Sequence, residues 1–381
     1  MTEMFIVAGE SSGDMYGANL VKALKSAAPG LKITALGGSK MKLAGADILA
    51  DPTQYASVGV TEVAVNLRSI YKIYRKLTAY VEANKPSAIV LIDYPEFNLK
   101  FAAFAKKLKI PLIYYVTPQI WAWRKGRVKK IARFIDKVIV AFEFEKEFYK
   151  QFGIEAEFAG HPLLDIIQPI TTEEKFAHPL RKELGIEGDV KLVALLPGSR
   201  FGEFKRHLPV LLGATKEIHK TLPATVFALA CAPNIDRKFV DNLSATSDAQ
   251  FIPVFYRTYD IMRAADIALV ASGTATLETA IFKTPMVVIY KLSFITGLIA
   301  RVVLHLPHYS LVNIMAGRTV VPELLQGGAT PENIAREAVS ILSPDRWRRM
   351  HDELAGIAAK LGTPGASTRA ARIILNFIGV K

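Results

Sequence analysis

A chain of 381 residues is long enough for two α/β domains of about 150–200 residues each. With 51% hydrophobic and 22% charged residues it can bury large cores, which excludes a disordered chain, and its net charge of +13 favours anionic partners: nucleic acid, phospholipid or phosphorylated substrates. One cysteine, Cys231, excludes an intrachain disulfide and a thiolate metal cluster, and it reads as a small buried residue at a strand end.

The chain opens on an apolar run, residues 4–8, with neither the basic start nor the cleavage site of a signal peptide, so a cytosolic protein is expected. Next come Gly9-Glu10-Ser11-Ser12-Gly13-Asp14 and a helix. Apolar runs at 33–36, 88–92, 111–116 and 137–140 are followed by Gly37-Gly38, by Asp93 to Asn98 with a helix over 99–108, by Thr117 to Arg124, and by a helix over 143–152. This β-α alternation predicts a parallel sheet, in which ligands bind beyond the carboxyl ends of the strands. Every polar or glycine cluster just named falls at such an end. Gly160 to Leu163 and residues 168–172 read as a connection between domains. A second series follows, with strands at 192–196, 225–230, 251–254, 267–270 and 286–289 and an amphipathic helical tail. The prediction is two Rossmann-like, doubly wound domains facing across a cleft, residues 1–168 and 169–345, with a helical tail over 346–381. No uncharged apolar run reaches the ~18 residues of a spanning helix; the nearest, 286–306, is interrupted by Lys291 and Arg301.

The stretch 267–280 is a short apolar strand, a break at Ser272-Gly273, then a helix start through Thr274. Free backbone N–H groups and the positive end of the helix dipole suit a phosphate there, and Glu278 lies one turn further in, in reach of sugar hydroxyls. An ordinary strand-to-helix turn would read the same way. The Gly9 to Asp14 loop is neither a dinucleotide fingerprint nor a Walker loop. It is either a turn with Asp14 as helix N-cap or a loop lining a cleft. Asp93 follows a buried strand, where a carboxylate can serve as a base or cap the next helix, although Asn98 is the better placed cap. Arg200, in Pro197-Gly198-Ser199-Arg200, carries a fork of donors suited to a diphosphate.

Ten basic residues and no acidic one lie between Phe97 and Ile135, interleaved with Tyr114, Tyr115, Trp121 and Trp123. Before them, Leu67, Ile70, Tyr71, Tyr74, Leu77 and Val81 share one helical face, with Arg68, Lys72, Arg75 and Lys76 off it, after an apolar stretch containing Val58, Val60, Val63 and Val65. Such a segment lies in a membrane interface or packs on the sheet with a solvated basic face. The histidines show no metal pattern, and no Asp-x-Asp occurs, which argues against a carboxylate-bound ion on a nucleotide diphosphate.

Taken together, Gly9-Glu10, Ser12-Gly13-Asp14, Asp93-x-Pro95-x-Phe97-Asn98, Trp121-Ala122-Trp123-Arg124, Gly160-His161, Pro197-Gly198-Ser199-Arg200, Ser272-Gly273-Thr274-Ala275 and Glu323 to Gln326 closely resemble, in this order, the lipid-A-disaccharide synthases, glycosyltransferase family 19. The resemblance implies a GT-B fold. It implies inverting, metal-independent transfer of 2,3-diacylglucosamine from UDP to 2,3-diacylglucosamine 1-phosphate, without a cofactor. The setting would be the cytoplasmic face of the bacterial inner membrane, against an anionic surface. It further implies a C-terminally swapped homodimer, the tail packing back on the first domain or exchanging between subunits. Carried over, Asp93 is the general base and Arg200 holds the diphosphate. Ser272, Gly273 and Thr274 cradle it, while Glu278, Asn313, Glu323 and Gln326 line the UDP pocket. Gly9, Ser12, Gly13, Asp14 and Asn98 form the acceptor loops, and Val58, Val60, Val63, Val65, Leu67, Ile70 and Tyr74 meet acyl chains or membrane. Tyr94 stands where the family more often has a small residue, Glu96 where it has Asp, and Val58 where it has Met. Two alternatives remain: another UDP-sugar enzyme of this fold, such as a UDP-N-acetylglucosamine epimerase or a different lipid glycosyltransferase, or a non-catalytic basic protein. No nucleic-acid motif supports the latter.

Overall fold

The computed structural model describes residues 2–52, 63–118, 126–168, 171–291 and 308–380. The expected contacts Val58 and Val60, together with Trp121, Trp123 and Arg124, lie outside the described residues, as do the side chains of Val63, Val65 and Leu67. The chain divides into two compact units, Met1–Ile166 with Lys360–Lys381, and Ile167–Ala359.

The first unit is built on seven parallel strands: β1 (Glu3–Ala8), β2 (Lys32–Leu36), β3 (Asp47–Ala50), β4 (Ala88–Ile92), β5 (Leu112–Tyr115), β6 (Lys137–Val140) and β7 (Ala156–Phe158), in the order β3-β2-β1-β4-β5-β6-β7. The central strands are near-continuous apolar runs because helices cover both faces of a parallel sheet; every residue of β4 is fully buried. The order reverses between β1 and β4, so the loops leaving these two strands flank the crevice where such sheets take ligands.

The second unit repeats the plan with β8 (Lys191–Leu196), β9 (Thr225–Cys231), β10 (Ile252–Phe255), β11 (Ile267–Ala271), β12 (Met286–Tyr290) and β13 (Glu323–Leu325), in the order β10-β9-β8-β11-β12-β13. Its reversal lies between β8 and β11. Cys231 closes β9 in full burial, which pushes its thiol up to about 12. Strands β3, β7 and β13 escaped the sequence reading, since each has only three or four residues and includes an acidic one that breaks the apolar run, whereas the equally short β10 is uncharged.

The helix Val63–Asn84 packs inward through Leu77 and Val81, both fully buried, and Tyr74 meets Phe97 edge-on at 5.9 Å. Arg68, Lys72, Arg75 and Lys76 face outward, as does Tyr71, which is 59% exposed although the helical pattern placed it on the apolar face. Among the described residues no helix is long and apolar enough to cross a membrane.

The tail separates into helices Pro331–Ile341 and Pro344–Ala359 in the second unit and Ala366–Phe377 in the first. The last packs on the helix Ser11–Ala27. Its first turn is capped by Asp165, whose carboxylate accepts from the amides of Gly365 (2.6 Å), Ala366 (3.0 Å) and Ser367 (2.7 Å). Arg369 reaches back to donate to the carbonyl of Ala159 at 2.8 Å. Gly160 is required there: its φ is +89°, and a β-carbon would stand 2.7 Å from the Arg369 guanidinium. The Gly160-His161 pair thus anchors the last helix. The His161 ring accepts from the Leu163 amide, and full burial lowers its pKa to about 3.

Candidate functional site

In the first unit the strand ends at the reversal carry Gly9 and Asp93. Asp93 is half-buried and left-handed, φ +45°, and Tyr94 continues in the same region at φ +48°. Val116, at the end of neighbouring β5, has φ +54°, an outlier for a β-branched residue, and its carbonyl accepts from the Asp93 amide at 3.1 Å. Such conformations cost about 1–3 kcal/mol each and persist only where neighbours over-determine them. Here the neighbours are identifiable. Asn98 donates through Nδ2 to the carbonyls of Ile92 (3.2 Å) and Asp93 (2.7 Å), and the Tyr114 hydroxyl donates to the Asp93 carbonyl at 2.8 Å. Burial, and then the Asp93 charge, push the Tyr114 pKa far up, so this donor stays protonated.

Two capping assignments are corrected. The helix after Asp93 is Pro95–Ala105, with Tyr94 as its N-cap, so Asn98 lies inside the first turn and clamps the strand end instead of capping. Proline at the first position moves the helix start forward, because its fixed φ suits that position. Asp14 does not cap its own helix, which starts at Ser11 after Glu10. Its buried carboxylate accepts from Gly38 (2.7 Å), Lys40 (3.1 Å) and Met41 (3.1 Å), capping the helix Ser39–Leu43 and fixing the loop after β2. Ser12 and Gly13 sit in the first turn of Ser11–Ala27, with Gly13 close to the Ala8 side chain. Glu96 pairs with Arg127 of the basic stretch.

In the second unit the loops leaving β8 and β11 stand side by side. Gly198 has φ +112°, and a β-carbon there would meet Glu203 at 3.1 Å. Arg200 is the extended N-cap residue of the helix Phe201–Thr221 and pairs with Glu203 at 3.1 Å. After β11 the Ser272 amide donates to the Ile289 carbonyl at 2.9 Å. Gly273 then takes φ +156°, ψ −160°, a region essentially restricted to glycine, and nothing among the described residues lies within 4 Å of where its β-carbon would be. Thr274 begins the helix Thr274–Ile281; the Thr276 amide donates to the Gly273 carbonyl at 3.1 Å, while the amides of Thr274 and Ala275 lie too early in the helix for an intrahelical partner. Glu278 lies one turn on, 3.5 Å from the Tyr259 hydroxyl. Gln326 follows β13 with φ +47°.

Asn313 and Glu323 are turned to each other. The buried Asn313 carboxamide donates to the Val321 carbonyl (2.8 Å) and to Glu323 (2.8 Å), and accepts from the amides of Val320 (2.7 Å) and Val321 (3.0 Å). All four of its hydrogen-bonding sites are engaged, so, contrary to the expectation of a pocket-lining contact, it has none left for a nucleotide. Glu323 also accepts from the amides of Tyr309 (2.9 Å) and Ser310 (2.8 Å). The pair folds residues 309–323 around itself. His207 was not foreseen: it is buried on Phe201–Thr221, in contact with the Pro197 carbonyl and the Lys291 amide. A lone histidine on an amphipathic helix gives no local signal.

Among the described residues no group of three or more His, Cys, Asp or Glu could hold a metal ion.

A family model described as lipid-A-disaccharide synthetase matches residues 4–373. The lipid-A-disaccharide synthase of Syntrophus aciditrophicus (strain SB) is 44% identical over 377 residues, 98% of this chain and 97% of that one. Among solved structures, a putative UDP-N-acetylglucosamine 2-epimerase from Listeria monocytogenes superposes with TM-score 0.64 at 14% identity, over 99% of this chain and 96% of that one. The calicheamicin glycosyltransferase CalG4 gives 0.62 at 14%, over 99% and 98%. At such identities these two establish the fold, GT-B, and nothing finer. The family match runs nearly the whole length of the chain and takes in the loops at both strand-order reversals: the chain belongs to the lipid-A-disaccharide synthetase family.

Proposed function

We propose that the protein transfers 2,3-diacylglucosamine from UDP to the 6-hydroxyl of 2,3-diacylglucosamine 1-phosphate, giving the β-1′,6-linked disaccharide 1-phosphate and UDP. Asp93 takes the proton from the 6-hydroxyl as that oxygen attacks the anomeric carbon, the bond to the UDP oxygen breaks on the opposite face, and the configuration inverts. The charge left on the diphosphate is met by the Arg200 guanidinium and by the amides at the start of Thr274–Ile281, with Ser272 and Thr274 adding hydroxyl donors. Neutralisation by these groups makes a divalent ion unnecessary. Glu278 and Gln326 contribute to the nucleoside side. Asn313 and Glu323 act one step removed, by shaping the segment they enclose.

The observation that carries this reading is Asp93 itself, a half-buried carboxylate held in a left-handed conformation at the strand-order reversal, its backbone pinned by Asn98, Tyr114 and Val116. The outward basic face of Val63–Asn84 and its exposed Tyr71 support peripheral binding to the anionic cytoplasmic face of the inner membrane. The family resemblance supports a homodimer with exchanged C-terminal segments.

The test is incubation of the detergent-solubilised protein with both acylated sugars. Release of UDP together with the disaccharide supports the reading. Folded protein that releases none removes it, and turnover of unacylated UDP-N-acetylglucosamine alone would favour an epimerase. Asp93→Ala should lower turnover at least about a hundredfold, the usual scale for loss of a general base, with UDP binding kept.

A further inference from the structure

We propose that His207 is a positioning residue for the donor half, tying the 197–200 loop to the end of β12 and so fixing the spacing of the two segments that flank the Ser272-Gly273 turn. The inference rests on the reading of the second unit as the UDP-binding one. In the sheet order β8-β11-β12, Pro197 leaves the strand on one side of β11 and Lys291 follows the strand on the other. His207 touches both. Its Nδ1 lies 3.0 Å from the Pro197 carbonyl, and its Nε2 lies 3.2 Å from the Lys291 amide nitrogen.

These partners dictate one protonation state. A backbone N–H can only donate, so Nε2 accepts; a carbonyl can only accept, so Nδ1 carries the proton and donates. A second proton on Nε2 would set N–H against N–H and break the link to Lys291. Burial, the largest influence, holds the ring below the ordinary histidine range, and Arg206 acts in the same direction; the Pro197 carbonyl and Glu203 oppose it. The other titratable or charged groups around it are Arg200, through its pair with Glu203, then Tyr290 and Lys291 at the end of β12, and Tyr309 beyond Tyr290. The neutral ring is therefore the working form at neutral pH, and the tie fails only under acid conditions.

Two variants of the full chain test this by calorimetric titration with UDP. His207→Leu removes both hydrogen bonds and should weaken UDP binding about tenfold, the worth of roughly one to two net hydrogen bonds. His207→Gln offers one donor and one acceptor and should stay within about threefold of the parent protein. On the acid side of the ordinary histidine range, below about pH 6.5 and down to the point where either protein unfolds, the parent's affinity should fall more steeply than that of His207→Gln, the protonation of UDP itself being common to both. A merely structural histidine would lower the melting temperature and leave this pH difference absent. A Leu variant that binds as the parent does, or parallel pH curves for parent and Gln variant, overturns the proposal while the functional reading stands. If the Leu variant does not fold, the pH comparison decides alone. A parent protein that binds no UDP removes both.

Discussion

The ring of Tyr94 packs directly on the backbone of Gly9: a β-carbon at residue 9 would stand 2.1 Å from Tyr94 Cδ1 and 2.3 Å from Cγ. The first contact of the loop leaving β1 with the loop leaving β4 is thus an absent side chain meeting the root of a large one. Tyr94 is also stacked on Phe97, ring centroids 5.2 Å apart, so the ring has no easy retreat. Gly9→Ala should cost about 1–3 kcal/mol, the usual toll of overpacking, and should lower disaccharide formation by shifting Asp93. Adding Tyr94→Ala should recover most of the stability. Chemical denaturation of the two variants, with turnover measured beside it, decides. A Gly9→Ala protein as stable as the parent would mean that the ring yields freely.

Asn98 donates twice to the strand end that carries Asp93. Asn98→Leu keeps the volume and leaves two buried carbonyls with fewer donors, one of them still served by Tyr114. A loss of about 1–3 kcal/mol is expected, with a fall in kcat larger than any change in the KM for UDP-sugar. Unchanged kcat in a folded variant would separate Asn98 from the alignment of Asp93.

Arg200→Lys keeps the charge and loses the planar fork. If the guanidinium grips a diphosphate in bidentate fashion, Lys should rescue little of the UDP affinity lost in Arg200→Ala, on the order of tenfold or more. Full rescue by Lys would reduce Arg200 to a point charge.

Lys175 predicts a pH effect unrelated to catalysis. Fully buried, it donates to the carbonyl of Ala265 (3.0 Å) and to the Thr284 hydroxyl, and burial lowers its pKa from 10.5 to about 7. Between these two values the unfolded chain binds the extra proton, so folding stability rises with pH there, by up to about 1.4 kcal/mol per pH unit. Below about pH 7 both states are protonated and the slope vanishes. Lys175→Met should remove the slope. The difference between parent and variant in urea denaturation, from about pH 6 to pH 9, isolates it from other titrations. Parallel curves would show that Lys175 is protonated in the folded state throughout.

The strand-end loops were legible in the sequence because β-α alternation places every glycine or polar break at the same edge of a parallel sheet. Which way the polar side chains within those loops turn was not. Asp14, Asn313 and Glu323 look from the sequence like ligand contacts, yet their hydrogen bonds run to the backbone of their own fold. A buried backbone N–H and a ligand hydroxyl make the same demand on a carboxylate or carboxamide oxygen, and only distance in space separates them. His207 was invisible for a related reason: its partners are a carbonyl ten residues earlier and an amide eighty-four residues later.

The closure of the first unit by residues 360–381 sets an order of events during synthesis. The helix Ser11–Ala27 and Asp165 are made early, but the helix that covers the one and is capped by the other is made only after the whole of the second unit. Domains generally fold as units as they leave the ribosome. The later-made sheet is therefore the first able to finish, and the nascent first unit carries an uncovered flank until the last helix arrives. A chain halted near residue 359 would have both sheets and none of that cover, which makes premature termination there a route to aggregation rather than to a shorter working enzyme.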